Sequence, residues 1–417
     1  MDNIIASLDI GTSKVSAVLG KFSSNGLQVL GVGISPNNGM RKGVVVDIDS
    51  TTRAIEQAVE QLQNMTNIEI NSVYINISGG HASLYQNKGV IAVTREDKEI
   101  TTDDVKRVMQ SARVFAMPPD KQIVDVIPRQ FIVDGYDEIR DPVGMFGTRL
   151  EVEATIVACS STTLQNLIRS VERAGLDILG VVVEPFALGE VLLTTDEKDL
   201  GVLVVDVGAG KTEYSVFEGG SLKSSSIIPI GGDNITNDIA VGLRIPFAEA
   251  EKTKKDYGFA RVDYAEQVSS ITVKNIGDDN TREIEVDEFA EIVEARVYEI
   301  FFLVNRDLVK SGIKARLSAG VVITGGGVSF LRGSKEIAQE VMGLPVRIGS
   351  PDYIGVSSPV YSSGVGVIRY IGSRKYYEHD DSEKASRRTG LFAKARGKQS
   401  QRGGTFERIK SFIDEYF

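Results

Sequence analysis

One short motif, in which an aspartate, a glycine and a lysine keep the same spacing, occurs twice in this chain. Residues 9–14 read DIGTSK and residues 206–211 read DVGAGK. Glycine allows a tight turn and a close backbone approach to a ligand, and successive backbone N–H groups can bind an anion. Lysine adds a point charge for phosphate, and an aspartate at a strand end can hold Mg²⁺, mostly through water. The repeated motif therefore predicts phosphate binding. It also predicts that Asp9 and Asp206 lie beside a divalent cation.

Each copy of the motif follows an apolar strand and runs directly into another, so each is predicted to be the tip of a β-hairpin. Two such hairpins facing each other would hold a phosphate chain between two similar domains. A single copy would more often be an ordinary turn, and the matched spacing of two copies favours the ligand site. The run from Gly208 to Thr212 is not a P-loop, because position 205 is valine and a strand rather than a helix follows.

Composition excludes several classes of function. The chain has 417 residues, so two or more domains are expected. It has no apolar run of about 18 residues, and no secretory signal pattern is expected at its N-terminus. Cys159 is the only cysteine, and His81 and His379 are far apart, which excludes a disulfide framework and a His/Cys metal cluster. The net charge of −10 argues against general nucleic-acid binding.

Strands alternating with helices indicate an α/β protein. The segment at about 84–159 changes character and is predicted to be a small α+β insertion that serves as an interaction module. Elsewhere, GVVVDI (43–48) is predicted to be a strand, Glu184-Pro185 a turn before a helix, and residues 358–372 a last α/β unit. Other helices are predicted at residues 49–65, 161–174, 247–257, 286–310 and 334–342.

Three further groups of residues are candidates for a ligand site. Glu184 stands where a strand ends, the usual place for a ligand-facing side chain in α/β sheets, although a solvated loop acid is the alternative. Glu251 and Lys254 share one helix face and could grip a ribose and a base edge, or form a plain solvated ion pair. Gly325, Gly326 and Gly327 connect a strand to a helix and would allow close approach of a base or a phosphate.

The C-terminal part of the chain has its own pattern. Residues 373–405 contain nine Lys/Arg against four Asp/Glu and no periodicity, which predicts a disordered basic linker. At about 100° per residue, the apolar side chains of residues 406–417 share one arc of about 140°. This helix would bind a membrane surface or a protein groove, or dock on its own domain; the long linker favours the membrane. Its apolar face is Phe406, Ile409, Phe412, Ile413, Tyr416 and Phe417, flanked by Arg408 and Lys410.

The two hairpins, the Glu-Pro turn and the late Thr-Gly-Gly-Gly together resemble the actin-like ATPase superfamily. The resemblance implies ATP and Mg²⁺ in a cleft between two RNase-H-like domains, with Asp9 and Asp206 as the Mg²⁺-side acids and Glu184 orienting the attacking water. It also implies that Glu251 and Lys254 grip the ribose and adenine and that 325–327 form the adenosine loop. The implied phosphate loops are Gly11, Thr12, Ser13 and Lys14 in the first domain, and Gly208, Gly210, Lys211 and Thr212 in the second.

Within that superfamily the chain most resembles the FtsA family of bacterial cell-division proteins, over nearly its whole length. The stretches VYINISGGHASLYQNKGVIAV, VIPRQFIVDGYDEIRDPVG and FAEIVEARVYEIFFLVN carry this resemblance. It implies a peripheral protein on the cytoplasmic face of the cell membrane at the division septum. There it would tether FtsZ by its C-terminal peptide, polymerise with itself and meet other division proteins. A basic residue such as Arg296 could contact the peptide.

The resemblance also implies a division of the chain. The first domain would comprise 1–83 and 160–198 with 84–159 inserted, and the second 199–234 and 310–372 with 235–309 as an outer, FtsZ-binding subdomain, before the linker 373–405 and the helix 406–417. Hydrolysis is expected to be slow at most. A metabolic kinase and a pilus-assembly adaptor of the same superfamily are the alternatives; the kinase would need a substrate pocket with a general base, and neither would need the terminal helix.

Overall fold

The computed structural model describes residues 3–23, 26–264, 270–274 and 281–374. The predicted membrane helix 406–417 and the linker beyond residue 374 lie outside these residues.

The strands of the described chain range in length from two to thirteen residues. In chain order they are β1 Asn3–Ile10, β2 Lys14–Ser23, β3 Gly26–Pro36, β4 Met40–Arg41, β5 Val44–Val45, β6 Ser72–Ile77, β7 Ala82–Ala92, β8 Lys121–Val133, β9 Tyr136–Ile139, β10 Arg149–Ser160, β11 Asp177–Val183, β12 Val202–Val207, β13 Thr212–Glu218, β14 Ser221–Ile228, β15 Ser270–Lys274, β16 Thr281–Glu285, β17 Val321–Thr324 and β18 Val346–Ile348.

Helices connect several of these strands. They are α1 Ile48–Thr66, α2 Thr102–Ala112, α3 Ser161–Arg173, α4 Glu184–Leu192, α5 Thr195–Leu200, α6 Gly232–Gly242, α7 Phe247–Tyr257, α8 Val286–Lys310, α9 Ser334–Met342 and α10 over residues 362–374. Short 3₁₀ turns lie at Gly79–His81, Val262–Tyr264, Lys314–Arg316 and Pro359–Tyr361.

Two five-stranded sheets share one topology. The first has the order β11-β6-β1-β2-β3 and the second the order β14-β13-β12-β17-β18. In each, three antiparallel strands joined by short turns are extended by parallel strands, β6 and β11 or β17 and β18. The central strands β1 and β12 are nearly continuous apolar runs, as expected for strands covered on both faces. Both copies of the repeated motif therefore lie at the same place in two equivalent sheets.

The predicted insertion is confirmed as a separate sheet with its own core. Its strand order is β7-β10-β8-β9, and α2 packs on it through Val108, Met109 and Ala112. Thr101 begins α2 with a capping box, in which its side chain and that of Asp104 satisfy each other's backbone N–H groups. The joint between the first sheet and this insertion is the short Gly79–His81 turn.

Helices α4 and α10 lie between the two large sheets. In α10, Val365, Val367 and Ile368 pack in one core with Ile5 and Val18 of the first sheet. In α4, Leu188 and Leu192 instead belong to the core of the second sheet, with Val202 and Val204. The two helices touch closely, because a Cβ on Gly366 would lie 2.3 Å from the carbonyl oxygen of Ala187. Each half of the chain thus contributes a helix to the core of the other.

Most predicted helices are confirmed, and three local predictions are wrong. The segment 43–48 contains only the two-residue strand β5. Glu184 is the first residue of α4 rather than part of a preceding turn, since a proline is well tolerated in the first turn of a helix. The last predicted α/β unit is helical without a strand, because its small residues pack α10 against α4.

Candidate functional site

A cleft of about 720 Å³ lies between the two large sheets. Its volume is within the usual range of small-molecule sites. Residues from both hairpin tips, both sheets and four helices line it. The predicted site residues that line it are Asp9, Gly11, Thr12, Ser13, Lys14, Glu184, Asp206, Gly208, Gly210, Lys211, Glu251, Lys254, Gly325, Gly326 and Gly327.

The two hairpin tips have the same turn. The backbone N–H of Gly11 donates to the carbonyl of Lys14 at 2.9 Å, and that of Gly208 donates to the carbonyl of Lys211 at the same distance. The tips face each other closely, because a Cβ on Gly210 would lie 2.9 Å from the methyl carbon of Thr12. Two equivalent backbone turns thus converge on one space, as a bound phosphate chain would require.

The second tip is held from behind by the start of α6. The N–H groups of Gly232 and Asp233 donate to the carbonyls of Gly208 and Ala209 at 2.9 and 2.8 Å. Gly231 must be glycine, because a Cβ there would lie 2.5 Å from the carbonyl oxygen of Ala209. These bonds use N–H groups at the helix start that would otherwise have no intrahelical partner, and they stabilise the shape of the loop.

The glycine loop after β17 packs directly on the second tip. Gly325 has φ +86°, and a Cβ there would lie 2.1 Å from Oδ1 of Asp206 and 2.5 Å from the carbonyl oxygen of Val207. The N–H of Gly327 donates to that same carbonyl at 2.7 Å. The glycines therefore serve first to bring two backbone segments into contact beside Asp206.

Gly325→Ala should lower the thermal stability of the protein and distort the cleft. An alanine at this positive φ is strained, and its methyl group also collides with the backbone of Val207. We therefore expect the free energy of unfolding to fall by about 2–4 kcal/mol, which is seen as a lower melting temperature. Gly343→Ala is the matched control, since Gly343 has φ +59° and a Cβ there would have no atom within 4 Å. Equal melting temperatures for the two variants would contradict the packing argument.

The two motif lysines have different surroundings. Nζ of Lys14 donates to the carbonyl of Val360 at 2.8 Å and lies 5.6 Å from the ring centre of Tyr361. Burial lowers the pKa of Lys14, and the charges of Asp9 and Asp206 oppose this shift only in part. The Lys14 ammonium therefore lies at the cleft with its charge only partly compensated by Asp9 and Asp206.

Lys211, in contrast, is neutralised by protein groups. Its Nζ lies 2.8 Å from a carboxylate oxygen of Glu213, 2.5 Å from the hydroxyl of Ser78 and 3.4 Å from Glu184. Burial lowers the pKa of Lys211, but the charges of Glu213 and Glu184 outweigh burial and raise it overall. The motif alone does not predict this, because Glu213 has no counterpart among the motif positions.

The two motif aspartates line the cleft. Burial raises the pKa of Asp206 to about 7, an effect that Lys211 opposes and that Glu213 and Asp9 increase. Oδ1 of Asp9 accepts a hydrogen bond from the side chain of Asn76 at 2.9 Å. In the described part of the chain, no group of three or more His, Cys, Asp or Glu side chains could enclose a metal ion. The two carboxylates could hold Mg²⁺ only if water and phosphate oxygens supplied most of its ligands.

Glu184 is buried at the junction of the two halves. Its Oε1 accepts a hydrogen bond from Ser363 of α10 at 2.7 Å, and its Oε2 faces Lys211. Burial raises the pKa of Glu184 well above its ordinary value, although Lys211 opposes the shift. A smaller cavity of about 60 Å³ adjoins it and is also lined by Asp9, Asn76 and Lys211. This cavity has room for about two water molecules beside the Glu184 carboxyl group.

Glu251 and Lys254 form a half-buried ion pair at the cleft, in which the Glu251 side chain is 28% exposed. Their charged atoms are 2.6 Å apart, and the Lys254 side chain is only 8% exposed. Nζ of Lys254 also donates to the carbonyl of Gly232 and to the hydroxyl of Thr236, which in turn donates to Glu251. These hydrogen bonds fix the pair at the edge of the cleft, where its exposed polar atoms could contact a ribose.

Two predicted residues do not line the cleft. Thr212 is fully buried, and its hydroxyl donates to the carbonyl of Ile230 at 2.8 Å, so it stabilises the strand end rather than facing a ligand. Arg296 lies elsewhere, on α8, and its guanidinium binds Asp238 and Glu299. A partner contact of Arg296 stays a prediction.

Several residues that line the cleft were not predicted as ligand contacts. They come from α6, from α7 and the residue after it, from the segment after the glycine loop, and from α10 and the turn before it: Gly232, Asp233, Lys255, Gly258, Phe330, Leu331, Pro359, Val360 and Ser363. Of these residues, only Gly232 lies in a segment with a local sequence signal, because the pair Gly231-Gly232 marks the start of a helix. The others reach the cleft through the tertiary arrangement of the chain, which no local sequence pattern predicts.

No helix among the described residues has the length and apolar character needed to span a bilayer.

Comparison with known proteins gives consistent results for sequence and structure. Residues 203–366 match the family model "Cell division protein FtsA", and residues 79–158 match "SHS2 domain inserted in FTSA". The cell division protein FtsA of Bacillus subtilis (strain 168) is 43% identical over 369 residues, which is 88% of this chain and 83% of that protein.

Solved structures share the fold at low sequence identity. The PilM-PilN type IV pilus biogenesis complex gives a TM-score of 0.59 at 16% identity, covering 88% of this chain and 98% of the other. MreB5 of Spiroplasma citri bound to ADP gives 0.54 at 14% identity, covering 92% and 98%. These likenesses confirm the actin-like fold.

Proposed function

The chain belongs to the FtsA family of cell division proteins, and on that premise we propose that it binds ATP and tethers FtsZ to the membrane at the division site. Its actin-like fold and its cell-division role follow from the family. The observation that carries the nucleotide part of the proposal is the convergence of two equivalent hairpin tips on one cleft of about 720 Å³.

We place the triphosphate between the two tips. Lys14 supplies a buried ammonium that points at this space and has no carboxylate within ion-pair distance among the described residues. The nucleoside would extend toward Glu251 and Lys254, and the glycine loop 325–327 would pack against it. The MreB5 structure of the same fold is bound to ADP, which supports a nucleotide as the ligand.

Asp9 and Asp206 would hold Mg²⁺, mostly through water, and the ion would neutralise part of the phosphate charge when bound. Glu184 is the candidate for orienting the attacking water, because the adjoining small cavity lies beside its carboxyl group. Lys211 and Ser363 hold that carboxyl group in position. Turnover would be slow at most, so the nucleotide would serve chiefly to hold the two halves in one arrangement that favours polymer contacts.

The exposed face of α8 is the best candidate surface for the FtsZ peptide. Tyr298 and Phe302 are 52% and 44% exposed, and their rings stack with centres 6.1 Å apart. Val309 continues this apolar stripe at 59% exposure. Exposed aromatic stripes bordered by charge are typical of peptide-binding surfaces. Arg306 lies on the same face and pairs with Asp307, while Arg296, nearer the start of the helix, is paired with Asp238 and Glu299.

Phe302→Ala should weaken binding of the FtsZ C-terminal peptide about tenfold, because a central aromatic contact is commonly worth more than 1 kcal/mol. Fluorescence anisotropy of the labelled peptide measures this. Met65→Ala on α1 is the control, since Met65 is 65% exposed on the other half of the molecule. An unchanged affinity in Phe302→Ala would move the peptide site away from the exposed face of α8.

The membrane part of the proposal rests on the sequence of residues 406–417, whose apolar and charged side chains separate cleanly at helical spacing. The basic linker before it would be attracted to an anionic leaflet. On the membrane the chain would form actin-like polymers with itself and meet other division proteins. Both statements extend the family premise.

Recruitment of FtsZ to anionic liposomes tests the whole proposal. With Mg-ATP and this chain present, FtsZ should pellet with the liposomes, whereas FtsZ alone should stay in the supernatant. If the chain itself pellets but FtsZ does not, the tether function is wrong and the alternative of an adaptor for another partner gains support.

A further inference from the structure

The carboxylate of Glu213 joins two parts of the molecule that the repeated motif does not connect. It lies on β13, just after the second hairpin tip, and its side chain is only 2% exposed. It accepts a hydrogen bond from the hydroxyl of Ser78 at 2.5 Å and one from the N–H of Gly79 at 2.7 Å. Its Oε2 also binds the ammonium of Lys211. One buried acid therefore holds both the second phosphate loop and the turn that leads into the insertion.

That turn packs tightly against the second sheet. A Cβ on Gly79 would lie 2.6 Å from both Glu213 and Ser225, and a Cβ on Gly80 would lie 2.2 Å from Ile227. The next residues begin β7, the first strand of the inserted sheet. The position of the insertion is therefore set where its joint contacts β13 and β14, next to the cleft.

Lys211 is the group that a nucleotide would disturb. Its ammonium lines the cleft and bonds to Ser78 and Glu213 at the same time. A triphosphate between the tips would attract this ammonium, because phosphate oxygens are strong acceptors for a lysine. If Lys211 moved toward phosphate, Glu213 would be left as a buried carboxylate without its counter-charge, which is costly. The bonds from Ser78 and Gly79 would then have to rearrange.

We propose that Glu213 is a positioning residue that couples nucleotide in the cleft to the orientation of the inserted subdomain, through Lys211 and the joint at Ser78–Gly79. This inference rests on the proposed nucleotide function. By linkage, the coupling acts in both directions: a partner that moves the insertion would change nucleotide affinity by the same factor.

Glu213→Gln tests the coupling, because the amide keeps an acceptor for the joint but removes the charge that holds Lys211. We expect the affinity for a slowly hydrolysed ATP analogue with Mg²⁺ to rise at least about fivefold. A residue with a merely structural role would lower the affinity or leave it unchanged. Glu218→Gln on the same strand is the matched control, since Glu218 pairs with Arg316 at the surface.

Spin labels report the orientation of the insertion. Val114 on the insertion and Leu200 beside the second sheet are 82% and 61% exposed and can be replaced by cysteine, while the native Cys159 is fully buried. In the wild type and in Glu218→Gln, the analogue should shift or broaden the measured distance distribution. In Glu213→Gln this response should be lost. If Glu213→Gln does not fold, Ser78→Ala replaces it and should reduce the response.

The outcomes separate the two proposals. If the wild type binds the analogue but the label distance does not respond, the coupling is wrong and the nucleotide function stands. A full response in Glu213→Gln would also overturn the coupling. If the wild type binds no nucleotide, the proposed nucleotide function fails and the coupling fails with it.

Discussion

A chain truncated after Thr405 is expected to stay in the supernatant when it is centrifuged with anionic liposomes, while the full chain pellets. The removed residues include six large apolar side chains whose spacing in the sequence predicts one helical face. Full burial of such side chains is worth about 1.5–3 kcal/mol each, and partial burial at an interface is worth less. Even a total of about 3 kcal/mol corresponds to a change in membrane affinity of more than a hundredfold.

Two point variants make this test specific. Phe412→Asp places a charge in the apolar face and should release the chain almost as fully as the truncation. Ser411→Ala changes the polar face at the adjacent position and should leave pelleting unchanged. Raising the salt concentration should weaken binding in part, because Arg408 and Lys410 contribute by attraction to anionic lipid. If the truncated chain pellets as well as the full chain, another surface binds the membrane.

Replacing Lys14 with alanine is expected to weaken ATP binding about tenfold to a hundredfold. A hydrogen bond to a charged group contributes about 1.5–3 kcal/mol, and the Lys14 ammonium faces the cleft without a carboxylate partner in ion-pair range among the described residues. Titration of a fluorescent ATP analogue in the presence of Mg²⁺ measures the change.

The control for this variant is Lys21→Ala, which removes a lysine from the same strand β2 at a position outside the cleft. Melting temperatures should accompany the titration, because Lys14 also donates to the carbonyl of Val360. Wild-type affinity in a folded Lys14→Ala protein would mean that the phosphates do not lie at the first hairpin tip. Lys211→Ala should have a smaller effect than Lys14→Ala, since Glu213 already neutralises Lys211.

The sequence by itself determined the features that depend on neighbouring residues. Each hairpin tip is closed by a hydrogen bond between residues three apart, Gly11 to Lys14 and Gly208 to Lys211, and the motif spacing predicts both turns. Helices α7 and α8 begin and end at the residues that the sequence periodicity predicts. Gly258 directly follows the last residue of α7 and caps it. The repeat predicted two equivalent halves, because the same local sequence selects the same strand–turn–strand unit each time it occurs.

Only the tertiary structure decided how the side chains at the cleft are paired. Ser78 and Glu213 are 135 residues apart in sequence, and Glu184 and Ser363 are 179 apart, so no spacing rule brings either pair together. The motif made the two lysines look equivalent, yet Glu213, which Ser78 and Gly79 of the other half hold in place, neutralises Lys211. Thr212 similarly faces a strand end rather than the cleft. Strand alternation limits which face a residue occupies, but sheet order and helix crossing select its partner.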